Sequence, residues 1–253
     1  MRTSDKECLF KDRVLAQRVE DRIQKPFIGT LEDDTIIHTM FDLEQYLGKR
    51  IDWVSGITFE DVVDTKGGWL PSLHRRYCTT WLKIDPIAHW WFEKFKAKPI
   101  KMNIGYRINE ASRAKTMLNS TNKNGLSVYE MTFEKHKKGR HKGLNKWVSV
   151  AWRKPLFPLI EDGVDKVDIQ NFWKDKPVRF APLNNCVGCF HRSAALLKQQ
   201  SIEHPNKFQW FADQEGKGKG TWKKDISYTK IKKLNFTLNV FESEGCNSGF
   251  CGM

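Results

Sequence analysis

The chain has 253 residues and carries 43 Lys and Arg against 30 Asp and Glu, a formal charge of +13, with 40% hydrophobic and 12% aromatic residues. Ten Trp and sixteen Phe exclude a disordered chain, and no apolar run approaches the ~18 residues of a membrane-spanning helix. The opening MRTSDKECLFKDR has no apolar stretch of the secretory kind, and six Cys are too few for a disulfide scaffold. The expected setting is therefore the cytoplasm with no membrane partner, where clustered thiols serve metals or catalysis. The positive balance favours a polyanionic partner such as a nucleotide, tRNA or DNA.

Residues 7–24 place Leu9, Val14, Leu15, Val19 and Ile23 at helical spacing between charges, and Pro26 ends that helix. Phe27-Ile28 can begin a short strand. Residues 33–48 read as a second helix, capped by Asp34 or Thr35 and closed by Gly48. Ile51–Val54 is a strand candidate, and Thr58–Thr65 is a helical patch stopped by Gly67-Gly68. Thr79–Ala97 is amphipathic, with Pro86 near its first turn. Ile100–Tyr106 reads as a strand, with a polar loop or helix start at Asn109–Arg113. The polar stretch 119–146 predicts a surface hairpin with strands at 126–133 and 146–153. A helix follows at about 165–173, and NNCVGCFHRSAALLKQQ reads as a loop entering a helix at about 190–200. EGKGKGTWKKD is a break, and the tail is strand-like before EGCNSGFCGM. Strands alternating with helices over the first 110 residues predict an α/β core with a parallel sheet.

Cys186 and Cys189 form CVGC, Cys246 and Cys251 form CNSGFC, and Cys78 stands in RRYCTTWLK. Two Cys at i and i+3 on a tight turn can aim both sulfurs at one ion, with Gly188 letting the turn close. A distant pair can complete a tetrahedron of thiolates, which suits zinc or an iron–sulfur cluster. Cys8, inside the first amphipathic helix, reads as core. His191 reads as a residue of the helix start. Arg75, Arg76 and Lys83 flank Cys78 and would favour its thiolate.

Taken in order, RRYCTTWLKIDP, NIGYRINEASR and NNCVGCFHRS resemble the phosphoadenosine phosphosulfate (PAPS) reductase-like family of the adenine-nucleotide alpha-hydrolase superfamily, the PP-loop ATP pyrophosphatases. Arg76, Cys78, Thr79, Lys83 and Pro86 match its R-x-C-T…K-x-x-P segment. Gly105, Arg107, Glu110 and Arg113 match G-x-R-x-x-E-x-x-R. Pro158, Leu159, Ile160, Asp168 and Ile169 match a downstream element that precedes the C-x-x-C. The resemblance covers roughly residues 27–215.

It implies a Rossmann-like parallel sheet flanked by helices, over residues 1–180, with a Cys-rich C-terminal region at 181–253. It also implies an adenine nucleotide or sulfonucleotide as ligand, ATP or a PAPS-like molecule. Sulfur transfer or reduction, or adenylation with loss of pyrophosphate, is the implied chemistry. Cys78 and Lys83 would be catalytic. Phosphate or sulfate would be held by Arg76, Arg107 and Arg113, with Gly105 and Glu110 shaping that sheet edge. Cys78, Cys186 and Cys189 match the ligands of a [4Fe–4S] cluster, with Cys246 or Cys251 completing the set, and zinc is the other occupant of such thiols.

The chain departs from the family in three places. Thr79 stands where some members have a second Cys. Residues 244–248, Glu244 to Ser248, do not match the reductases' catalytic tail. Arg2, Thr3 and Ser4 resemble only the last part of the phosphate-cradling loop, and Thr30, Glu32 and Thr35 resemble the next conserved region, with Leu31 in place of Gly. A missing first strand would leave a slot for a partner protein or a second copy to complete the sheet. It also raises a second reading, a catalytically impaired homologue that binds a nucleotide or nucleic acid; a third is a zinc-stapled structural protein. The basic run 133–147 can meet a nucleic-acid backbone, tRNA or DNA, though it reads first as an exposed hairpin loop.

Overall fold

The structure is a computed structural model, and it describes residues 1–183 and 185–235. The chain divides into two compact units, Met1–Pro86 with the chain from Lys176 onward, and Ile87–Asp175. The boundary expected at residue 180 falls inside the first unit.

Strand β1 (Arg2–Thr3) pairs antiparallel with β2 (Gly29–Thr30), Arg2 facing Thr30 and Thr3 facing Gly29. Gly29 sits where a Cβ would fall 1.9 Å from the Cys8 carbonyl oxygen, so two backbones meet there with no room for a side chain. Between the strands runs α1 (Arg13–Ile23), which buries Leu15, Ala16 and Val19. It starts later than its periodicity predicts. The Phe10 amide leaves the helical path to donate to the Ile28 carbonyl, and Asp12 caps the helix by accepting from the Leu15 amide. Cys8 is buried in the core, as its place in the sequence indicates, and burial first, then nearby carboxylates, pushes its thiol up to about 12.

Helix α2 (Thr35–Leu47) closes on Gly48 at φ 60°, as expected of a left-handed cap. Residues Ile51–Val54 form no strand and pair with none among the described residues. The Ile51 amide donates to the Glu44 carboxylate instead, and the Trp53 ring packs 4.9 Å from Phe41, so side-chain burial takes the place of a ladder. Helix α3 (Phe59–Thr65) begins with reciprocal bonds between Thr58 and Asp61. The predicted helix at 79–97 is present with an irregular course. A short α4 (Tyr77–Thr79) runs through a wider π turn, Thr80–Ile84, into α5 (Asp85–Phe95). Pro86 has no amide to offer the Leu82 carbonyl, which accounts for the widened turn just before it.

In the second unit, β3 (Ile100–Asn103), α6 (Ala111–Asn119), β4 (Ser127–Lys135) and β5 (Asn145–Leu156) follow, then α7 (Pro158–Glu161) and α8 (Lys166–Trp173). The sheet order is β3-β5-β4. β3 runs parallel to β5, and β4 and β5 are the hairpin that the polar stretch predicts. Met131 and Trp152 bury one face of the sheet against Ala88 and Trp91 of α5. The molecule is thus mixed α/β, about 45% helical, with one parallel strand pair in a three-stranded mixed sheet.

The chain returns to the first unit with α9 (Ala194–Glu203), α10 (Pro205–Lys217) and α11 (Tyr228–Lys232). Phe208, Trp210, Phe211, Trp222 and Tyr228 join Phe59, Leu31 and Val187 in its main core. Side chains of α10 anchor it to the first residues of the unit: Trp210 donates to Glu60, Asn206 to the Glu7 carbonyl, and Lys207 to the Glu32 carbonyl and Asp34. The Trp222 indole is 1% exposed and donates to the Phe211 carbonyl at 2.8 Å. Trp222→Ala is expected to cost about 3–5 kcal/mol of stability. Urea titration followed by circular dichroism checks this, and an unchanged midpoint would show the indole outside the cooperative core.

Candidate functional site

The CVGC segment is a tight loop leading to α9. The Val187 amide donates to the Leu31 carbonyl, the Cys189 amide to the Cys186 carbonyl and the Arg192 amide to the Cys189 carbonyl. Cys186 also bridges Glu32 in antiparallel fashion. Two groups from the C-terminal part of the unit hold the loop from outside. The Tyr228 hydroxyl donates to the Gly188 carbonyl at 3.0 Å, and the Lys223 ammonium donates to the carbonyls of Phe190 and Arg192. Gly188 is required for space rather than for an unusual φ. A Cβ there would lie 2.3 Å from the Phe211 ring.

The loop faces the Arg76–Lys83 segment across a cavity of about 30 Å3, room for about one water molecule. Cys78, Cys186 and Cys189 all line it, with Arg76, Thr79, Lys83, Asn185 and His191. Phe59, Phe190, Phe211 and Trp222 supply its apolar wall. Three of the five proposed metal-binding cysteines therefore share one cavity. Cys246 and Cys251 lie outside the described residues. Among the described residues, no three His, Cys, Asp or Glu side chains converge tightly enough to form a metal-binding group. The donor set nonetheless fits a thiophilic metal in kind: three sulfurs from two segments, on a loop fixed by backbone bonds.

Electrostatics set the state of these groups. Burial pushes the Cys78 thiol up, and it outweighs the opposing hydrogen bonds from Thr79 and the charges of Lys83 and Arg76. The expectation that flanking cations make Cys78 a thiolate is thus corrected, because desolvation wins over nearby positive charge. Thr79 supports that sulfur through hydrogen bonds rather than supplying a second one. Lys83 donates to the Asn185 side-chain oxygen at 3.2 Å and lies 3.9 Å from Glu32. Burial alone would raise the Glu32 carboxyl, but the Met1 ammonium, Lys83 and Lys207 hold it at about 2, so it is an anion at neutral pH.

Arg76 is different. Its Nε and one Nη are buried with no hydrogen-bond partner among the described residues. Buried donors of a charged fork are costly when unmet, and an oxyanion within their reach would satisfy them.

The remaining residues named from the sequence have other surroundings. Arg2 and Thr3 form β1 rather than a phosphate-cradling loop. Arg2 donates to the carbonyls of Pro26 and Gly56, the Thr3 hydroxyl bonds Glu60, and the Ser4 amide donates to Glu60 as well. Thr30 is buried in β2, its hydroxyl donating to the Met1 carbonyl. Gly105, Arg107, Glu110 and Arg113 belong to the second unit. There Glu110 accepts from Arg107 Nε at 3.0 Å and is paired with Arg113, whose guanidinium also lies 4.1 Å from the Tyr106 ring centre. Two guanidiniums on one buried carboxylate leave one positive charge over. Burial would raise Glu110, yet the bonds from Arg107 and the charges of both arginines bring it below the usual range. A Cβ at Gly105 would meet nothing within 4 Å, so no close backbone approach requires that glycine.

Sequence reasoning did not find Tyr228, Lys223 and Phe211 as the supports of the cysteine loop. They are ordinary core and surface types, and only the packing reveals the role. No protein-family model, curated protein or solved structure matches this chain.

In metal-free protein, alkylation of Cys78 by iodoacetamide is expected to stay slow through the pH range where an ordinary thiol ionises, and to rise only above it. Peptide mass spectrometry against a urea-unfolded control reads the rate. Rapid labelling at pH 7 would mean the cations win after all.

Proposed function

We propose that the chain binds an adenine nucleotide or sulfonucleotide, whose phosphate or sulfate engages Arg76 and Lys83 once the one-water cavity beside them widens, as the resemblance to PAPS reductase-like proteins implies. The observation that carries this reading is the buried Arg76 fork without a partner among the described residues, in a cavity shared by three thiols. A guanidinium offers two parallel donors to an oxyanion, and Lys83 adds a point charge. Arg107 and Arg113, with their surplus positive charge, are a separate anion-holding candidate within the second unit. The parallel β3–β5 pair is compatible with a Rossmann-like sheet edge carrying Gly105 just past β3.

Cys78, Cys186 and Cys189, with Cys246 or Cys251, would hold zinc or a [4Fe–4S] cluster. Zinc would fix the loop, and a cluster would supply single electrons for sulfur chemistry. The chain's own contribution is to bind and orient. Arg76 and Lys83 fix the anion, the apolar wall of Phe59, Phe211 and Trp222 limits water, and Cys78 stays protonated until a metal or a base takes its proton.

A second reading has its own support. Arg2, Thr3 and Ser4 are engaged with Pro26, Gly56 and Glu60, which leaves the family's phosphate loop without a counterpart in these residues. This favours a protein that binds the nucleotide without hydrolysing it.

Calorimetry with PAPS and a non-hydrolysable ATP analogue separates these readings from none. Arg76→Ala is expected to weaken binding by roughly 10- to 100-fold, and Arg107→Ala tests the separate candidate of the second unit in parallel. Equal affinity of wild type and Arg76→Ala would remove the reading. Release of pyrophosphate or adenosine 3′,5′-bisphosphate by wild type distinguishes an enzyme from a binding module. Anaerobically purified Cys186→Ser is expected to hold less metal and melt at lower temperature than wild type. Absorbance near 400 nm identifies a cluster and metal analysis identifies zinc, and unchanged metal and melting would exclude the cysteine site.

A further inference from the structure

The β4–β5 hairpin of the second unit ends in a shaped, strongly basic tip. The His136 amide donates to the Leu144 carbonyl and the Gly143 amide to the His136 carbonyl, both at 2.9 Å. The Lys142 amide donates to Gly139, and Gly139 and Gly143 take φ of 78° and 85°, so the backbone turns tightly at both places. Lys135, Lys137, Lys138, Arg140 and Lys142 are exposed around this tip. None of the five is in an ion pair among the described residues, whereas Lys146 pairs with Glu134 at 2.8 Å.

The sequence places no aromatic residue within the basic tip itself. In the folded hairpin one stands directly beside it. Trp147 lies opposite Thr132 in the register and is 60% exposed. With His136, His141, Leu144, Gly143 and Asn145 it lines an open cleft of about 500 Å3. The two imidazole rings are 5.8 Å apart. The alternation of the strand explains the exposure. Val150 and Trp152 face the core against α5, so Trp147 falls on the opposite face of β5. Burying a free indole would contribute stability, and this one is left in solvent, next to unpaired cations. That juxtaposition is the arrangement used to hold an unpaired base over a tracked backbone.

We infer that this hairpin binds single-stranded nucleic acid, with Trp147 stacking one base in the cleft and the tip cations on the flanking phosphates. A duplex keeps its bases stacked on one another and offers no free face to the indole, so the cleft selects for a single strand. The inference does not rest on the cysteine cavity, whose residues lie in the other unit.

The test is fluorescence anisotropy with labelled oligo-dT and oligo-U of twenty nucleotides, and a duplex of the same length, across a salt series. Wild type is expected to bind the single strands more tightly than the duplex. Trp147→Ala is expected to lose roughly 5- to 150-fold in affinity with its salt slope unchanged, and Trp147→Phe to recover part of it. Replacing Lys137, Lys138, Arg140 and Lys142 by Ser is expected to flatten the slope of log K against log salt by about 2 to 3. These four positions and Trp147 are exposed, so melting curves should match wild type. The inference is overturned by no binding of either oligonucleotide at low salt, by equal binding of duplex and single strand, or by Trp147→Ala binding like wild type. Loss in the charge variant alone would mean simple polyanion adhesion, and would overturn it as well.

Discussion

A buried phenol holding a backbone carbonyl governs the first unit. Tyr228 is fully buried, and its hydroxyl donates to Gly188, between the two cysteines of the CVGC loop. The ring stacks on Phe208 with centres 5.2 Å apart, and Trp222 and Phe211 close round it. A buried hydroxyl needs its partner and a buried carbonyl needs its donor, so the bond fixes both the helix α11 and the loop. Gly188 makes the second half of the constraint. Its missing side chain admits the Phe211 ring, and the ring in turn supports the wall of the cavity. The positions of Cys186 and Cys189 follow from aromatic packing more than from any property of the cysteines.

That constraint explains the balance of charge in the cavity. An apolar wall lowers the local dielectric, so every charged group there must be matched or suppressed. Glu32, beside the cavity's Lys83, is matched by Met1, Lys83 and Lys207. The Cys78 thiol is suppressed by burial. Arg76, which lines the cavity, keeps buried donors without a partner among the described residues.

Much of the local structure was legible in the sequence, and the reasons are specific. Gly48 ended α2, Gly67-Gly68 stopped the helical patch of α3, and the polar stretch around the basic run gave the hairpin, because these depend on neighbours in the chain. The clustering of Cys78 with Cys186 and Cys189 was also legible from spacing and motif. The sheet was not. Ile51–Val54 has strand composition, yet Glu44 and Phe41 claim its amide and its indole, and composition cannot say which neighbour arrives first. The phosphate-loop role of Arg2 and Thr3 rested on residue identity alone, while their function in the fold is set by Pro26, Gly56 and Glu60, far along the chain. Trp147 stands at the end of the basic run, and its face is not set by the sequence alone. The hairpin's register, which places it outward, is visible only when both strands are paired.

The first unit is interrupted in sequence by the whole of the second. Ile87–Asp175 is one uninterrupted stretch and can close its sheet as soon as it leaves the ribosome. The first unit cannot. The Leu31 carbonyl waits for Val187, Glu60 waits for Trp210, and the loop between the cysteines waits for Tyr228. During synthesis the early segment stays open while its mates are still being made, and its apolar groups, Phe59 and Leu31 among them, remain exposed for that interval. The cost of this interleaved architecture falls on nascent chains, in which the thiols of the cavity are late to gather.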